Sequence, residues 1–185
     1  MQTAENKAEG PSCRVSMVGP LRLATAAGAP LTLQGKRTRG LLAYLMLSPG
    51  QTASRERLAS LFWGDRGDAQ AKASLRQCLL ELKGALAGAG EDLVVATRES
   101  VALKHAAFSC DLLELVAGFK QASGEEAVEL VETLRNLRLL EDLELRGDFG
   151  DWLDLERASL DRLIDEGLAE RSEERRVGKE CRSRW

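Results

Sequence analysis

Histidine is almost missing from this chain, with His105 the single example in 185 residues. The four cysteines, Cys13, Cys78, Cys110 and Cys181, lie far apart and form no CxxC pair. One imidazole and scattered thiols do not furnish a structural zinc site. The same shortage removes a serine–histidine–aspartate set, and no paired carboxylates stand beside a supporting base. No metal, cofactor or catalytic residue is therefore expected, and His105 reads as a linker residue. No apolar run approaches the length of a membrane span or of a signal-peptide core. The expectation is a soluble chain without membrane contact. Unpaired cysteines suggest a reducing, cytoplasmic setting, with Cys78 a small buried hydrophobe. Aromatic residues make up only 4% of the chain, and Trp63 and Trp152 read as core or lid residues rather than stacking platforms. A phosphate loop is also absent. Arg37 separates Lys36 from Thr38, and Pro30 stands where the first glycine of such a loop belongs.

What is present is charge, unevenly placed. The formal net charge of −3 conceals a front half, Met1 to Ala107, with 14 Lys+Arg against 9 Asp+Glu. Phe108 to Glu170 has 6 against 17, and Arg171 to Trp185 has 6 against 3. A mildly basic front joined to a strongly acidic rear suggests a nucleic-acid-facing part coupled to something else.

The front half alternates short apolar runs with turns and then becomes helical. Residues 1–12 are polar and small, and read as a loose tail. Val15 and Met17, Leu21 and Leu23, and Leu31 to Leu33 suggest two or three short antiparallel strands. Leu41, Leu42, Leu45 and Met46 give a first helix, ended by Ser48-Pro49-Gly50. Ser54 is a good N-cap for a second, with core face Leu58, Leu61 and Phe62 and C-cap Gly64. A third helix runs from Asp68, its expected cap, to Ala87. Leu75, Cys78, Leu79, Leu82 and Leu86 draw one apolar stripe down it. Leu93 to Ala96 and Val101 to Leu103, joined by the polar tip Thr97 to Ser100, make a β-hairpin.

The third helix carries the candidate site. Ala73, Arg76, Gln77 and Leu80 fall opposite its apolar stripe. A major groove admits a helix, and arginine to guanine and glutamine to adenine are pairings that read base edges there. Arg76, Gln77 and Ala73 are therefore the candidate base contacts. Lys72, Lys83, Arg39, Ser54, Arg55 and Arg98 are the candidate phosphate contacts. Leu80 has two readings: contact with a thymine methyl, or packing under the hairpin.

The order of strands, three helices and hairpin resembles a winged helix-turn-helix of the response-regulator type. More narrowly, residues from about Val15 to Lys104 resemble the SARP-type (antibiotic-regulator) family of bacterial transcriptional activators. The resemblance is carried by Lys36-Arg37-Thr38-Arg39-Gly40-Leu41-Leu42-Ala43-Tyr44-Leu45, Ser54-Arg55-Glu56-Arg57-Leu58, Leu61-Phe62-Trp63-Gly64-Asp65, Ala73-Ser74-Leu75-Arg76-Gln77 and Glu81-Leu82-Lys83. The hairpin tip lacks the Gly-Tyr often found in that family, and Lys83 stands where an arginine is common. The implied architecture is α+β: a winged-helix DNA-binding domain over 13–107 with the hairpin of 93–104 as its wing. An all-α, TPR-like helical segment follows over 108–170, and a non-native or disordered tail over 171–185.

In the helical segment, Leu112 to Phe119, a second stretch over 125–140 and Asp151 to Leu168 have helical periodicity. The last places Trp152, Leu155, Leu160, Leu163 and Ile164 on one side. Leu139-Leu140-Glu141, Asp148-Phe149 and Trp152-Leu153-Asp154-Leu155-Glu156-Arg157-Ala158 resemble the start of the bacterial transcriptional activator domain. Such helical repeats bury their faces against several neighbours, and roughly one and a half units are present here. A fragment of a longer chain, with further repeats and an effector domain, is the expectation. The resemblance implies binding of double-stranded DNA at direct-repeat promoter sites and recruitment of RNA polymerase, with the acidic helices forming a homodimer or meeting other proteins. The alternative is a protein–protein adaptor with a degenerate winged helix and an acidic partner-binding segment.

Overall fold

A computed structural model describes residues 10–90, 92–122, 130–131, 133–134 and 138–182. Most of the tail expected over 1–12, most of the helix expected over 125–140 and the last residues of the tail expected over 171–185 lie outside these residues. The region up to residue 110 is mixed α/β, and helices follow it.

Strands β1 (Cys13–Ser16), β2 (Arg22–Thr25) and β3 (Pro30–Leu31) form an antiparallel meander. Cys13 and Val15 turn inward while Arg14 faces solvent, the period-two alternation of a sheet covered on one side. Helix α1 (Lys36–Leu47) stops at Ser48, where a short 3-10 turn leads into β4 (Thr52–Ser54). Helices α2 (Arg55–Trp63) and α3 (Asp68–Leu86) follow, then the hairpin of β5 (Val94–Ala96) and β6 (Ser100–Leu103). β4 adds to the hairpin along β6, giving a three-stranded sheet of order β4-β6-β5. Thr52–Ser54 carries no strand signal in the sequence, because three residues are too few to show a period.

The division at Ala107 needs correction at its edge. Strand β7 (Phe108–Cys110) pairs in parallel with β1, so the N-terminal sheet runs β3-β2-β1-β7. Helix α4 (Asp111–Gln121) begins directly after it. The Asp111 carboxylate accepts from the Met17 N–H (2.8 Å) and from the Ser16 hydroxyl, which ties the start of α4 to β1. Helix α5 spans Asp148–Arg182 and so continues through much of the stretch read as a tail. Glutamate, arginine and lysine, frequent in that stretch, are good helix formers.

The two parts of the chain share one core. Gly19, Leu140 and Glu141 exchange backbone hydrogen bonds with the chain at Arg138, Met17 and Gly19 (2.7–2.9 Å). Phe149, at the start of α5 and 1% exposed, lies 4.9 Å from the Phe62 ring of α2 and 5.1 Å from Trp152. Trp152 meets Tyr44 of α1 edge-on at 4.9 Å. Gly40 permits this approach, since a Cβ there would stand 2.9 Å from Phe62 and 3.1 Å from both Leu145 and Phe149. The apolar face of α5 differs from the expected one. Leu153 is buried, and Leu155 is 67% exposed. Phe149, Leu153, Leu160 and Ile164 follow the i, i+4, i+11, i+15 spacing of one helical face turned to the core, and Leu155 lies about 200° around from Leu153.

Arg39 belongs to this joint. Its guanidinium donates to the Leu21 carbonyl (3.1 Å) and pairs with Asp142, whose other oxygen accepts from the Leu21 N–H (3.0 Å). Burial pushes the Asp142 carboxyl up, but the Arg39 guanidinium and the Leu21 N–H pull it down further, leaving it below its ordinary 3.8. A depressed carboxyl favours the folded state above its unfolded value and loses that contribution as the pH falls through the folded one. Acid titration of the intact chain should therefore show a loss of stability below about pH 4. Asp142→Asn should flatten that part of the curve and leave the neutral-pH slope alone. Superposable acid limbs for the two proteins would contradict the pairing.

Candidate nucleic-acid interface

Helix α3 presents two faces with opposite duties. Ala71, Leu75, Leu79, Leu82 and Leu86 are buried against α1 and α2. Lys72, Ala73, Arg76, Gln77, Leu80 and Lys83 are exposed. Cys78 is half-buried at the edge of the apolar stripe rather than within it. Asp68 does not cap the helix. The N-cap is Gly67, without a side-chain acceptor, and Asp68 lies in the first turn, where its charge suits the positive end of the dipole.

Glu81 sets how α3 lies on α1. One carboxylate oxygen accepts from the Gly35 N–H (2.8 Å) and the other from the buried Thr38 hydroxyl (2.6 Å). The side chain thus serves as an acceptor at the start of α1, where the N-cap residue Gly35 offers no side chain. Its role depends on residues 43 and 46 positions away, which no local spacing reveals.

The hairpin is fastened to the start of α2. Ser54 ends β4 and caps α2, its Oγ accepting from the Arg57 N–H (3.1 Å) as expected of a good N-cap. The Arg55 N–H donates to the Glu99 carbonyl and Arg55 Nε donates to the Thr97 carbonyl, both at 2.8 Å. Within the tip, Thr97 Oγ1 accepts from the N–H groups of Glu99 (3.2 Å) and Ser100 (3.0 Å). Arg98 stands exposed at the end.

Between the hairpin tip and the first half of α3 lies a groove of about 790 Å³. Ser54, Arg55, Lys72, Arg76 and Arg98 all line it, so five of the expected contacts gather in one place. Arg66 lines it too, from the turn between α2 and α3, and donates to Ser74 Oγ (3.3 Å). Sequence periodicity gives no signal for a residue in a turn. Five cationic residues line the groove against the three acidic ones, Glu56, Asp68 and Glu99. Arg76 Nε donates at 3.3 Å to the Lys72 carbonyl one turn earlier, the only side-chain hydrogen bond it makes among the described residues. That bond is long, and it leaves both terminal nitrogens of the guanidinium free for a ligand.

Four expected contacts lie outside the groove. Ala73 and Gln77 are exposed on α3 beyond its lining. Lys83 borders a second, smaller hollow of about 270 Å³ with Leu86, Asp92 and Leu93. Arg39 is the misplaced one. Only 18% of its side chain is exposed and its guanidinium is committed to Asp142 and Leu21, so its charge holds the fold together instead of facing a phosphate. Trp63 is buried, as expected, with the Arg37 guanidinium 5.8 Å above its ring. Burial pushes the Cys13 and Cys110 thiols up to about 11, which keeps both protonated near neutrality. Among the described residues no helix is long and apolar enough to cross a membrane.

No protein-family model matches the chain, and comparison with curated proteins gives no match. Among solved structures, Mycobacterium tuberculosis EmbR in complex with a low-affinity phosphopeptide is similar, with a TM-score of 0.65 and 22% sequence identity. The likeness covers 84% of this chain and 43% of that one. What is shared is the fold, a mixed α/β region followed by helices. This chain spans less than half the length of EmbR.

Proposed function

We propose that this chain is a sequence-specific, double-stranded DNA-binding transcription regulator of the SARP type, acting as an activator in the cytoplasm. Helix α3 enters the major groove, and the β5–β6 hairpin acts as the wing on the backbone or in the minor groove. The helices after residue 110 form a TPR-like segment that meets RNA polymerase or a second copy of the chain at direct-repeat promoter sites. One observation carries this reading. The outward face of α3 is left bare, with Arg76 and Gln77 exposed, and it continues into a cation-lined groove closed by the hairpin tip. A helix whose outer face is only solvated has no need of an arginine-tethered hairpin beside it. The shared fold with EmbR is compatible with this reading and does not by itself assign a ligand.

Selection of bound duplexes from a random pool at two salt concentrations tests it. A recurrent site should emerge. With Arg39 committed elsewhere, Lys72, Lys83, Arg55 and Arg98 remain as the four phosphate cations from the sequence, so log affinity should fall with log salt at a slope of about −3.6 per protomer. A slope near zero, or a pool with no recurrent sequence, would overturn the proposal.

A further inference from the structure

Leu80 occupies a place on α3 that burial does not explain. It is 66% exposed, whereas Leu75, Leu79, Leu82 and Leu86 of the same helix are at most 4% exposed. It therefore does not pack under the hairpin, one of the two readings its position allows. It stands three residues after Gln77 and four after Arg76, so the three side chains share one face. Ala73 and Gly84 flank it with little or no side chain, which leaves Leu80 as the apolar projection of that face. The floor of a major groove is almost wholly donors and acceptors. Its one apolar group is the C5-methyl of thymine.

We propose that Leu80 is a specificity-determining residue that seats against a thymine methyl in the same duplex that Arg76 and Gln77 read. The inference rests on the DNA-binding proposal above and adds to it the base that the middle of the helix requires. Arginine and glutamine would select guanine and adenine by hydrogen bonds, and Leu80 would select thymine over cytosine by apolar contact. Exposure in the free protein is what such a contact needs, because the methyl and the leucine leave water together only on binding.

Deoxyuridine is thymine without that methyl, so it removes the proposed contact and leaves the hydrogen-bonding groups of the base unchanged. The full chain and its selected duplex should be used, with each thymine replaced in turn by deoxyuridine. At one thymine per bound protomer, replacement should weaken wild-type binding about three- to fivefold, the effect of one buried methyl. Leu80→Ala should be indifferent to that replacement, and because Leu80 is 66% exposed its thermal melt should match wild type, which reports that it folds. Leu80→Gln, a polar helix former at an exposed site, should be indifferent as well. If no thymine responds, or if all three proteins respond equally, Leu80 does not make the contact and the inference fails while the DNA-binding reading stands. If selection yields no site, the reading beneath fails and the inference falls with it.

Discussion

Phe149→Ala should destabilise the chain by about 3–5 kcal/mol, the range for truncating a buried phenylalanine in a core that cannot collapse around the gap. For a chain of this length that corresponds to a fall in Tm of roughly 6–20 °C. Phe149 is almost wholly buried, meets Phe62 and Trp152, and rests on Gly40, so the lost ring leaves a cavity at the meeting of α1, α2 and α5. Leu155→Ala on the same helix provides the contrast. With 67% of its surface in solvent, it should stay within about ±0.5 kcal/mol. Thermal melts of the two variants beside wild type decide the matter. A Phe149→Ala protein that melts with wild type would mean that α5 does not pack on the first two helices.

Arg76→Ala should lower discrimination between the selected site and random duplex by about 1–3 kcal/mol, a factor of roughly 5 to 150. The guanidinium is exposed, its Nε bond to the Lys72 carbonyl is long, and its terminal nitrogens are free, so removing it leaves no buried group unpaired. The fold should be unaffected and the loss confined to specific binding. Lys83→Ala should behave differently, weakening every sequence alike and making the salt slope about 0.9 shallower. Lysine at position 76 would restore the charge without the planar fork that matches guanine, so Arg76→Lys should recover non-specific affinity and little discrimination. Equal losses on specific and random duplex for Arg76→Ala would remove the base-reading role.

Much of this was legible because it depends on local spacing. The four leucines at Leu75, Leu79, Leu82 and Leu86 define the buried face of α3 and therefore its bare one. Ser54 announces the start of α2 because a hydroxyl there satisfies an orphan N–H, and the hairpin shows in two apolar runs around a polar tip. What could not be read was decided over distance. Arg39 and Asp142 are 103 residues apart, and only the folded chain shows that the arginine is spent on that pair. Glu81 capping α1 and Arg55 gripping the hairpin tip are of the same kind. The strands β4 and β7 have three residues each, too short for a period, and exist because β6 and β1 offer them edges. Helical periodicity over Asp151 to Leu168 puts Leu155 on the inward side, and the fold puts it outward. The orientation of α5 was fixed instead by the aromatic residues at its start, which turned Leu153 in and Leu155 out.

The central claim is that the bare face of α3 lies in a major groove and reads guanine there with Arg76. Guanine N7 opens only onto that groove, and 7-deazaguanine replaces it with a carbon that accepts no hydrogen bond. Each guanine of the selected duplex should be replaced in turn, and dissociation constants compared for the wild-type chain and Arg76→Ala. At one guanine per bound protomer the replacement should weaken wild type and leave the variant indifferent. Indifference of the wild-type chain to 7-deazaguanine at every position would contradict the account.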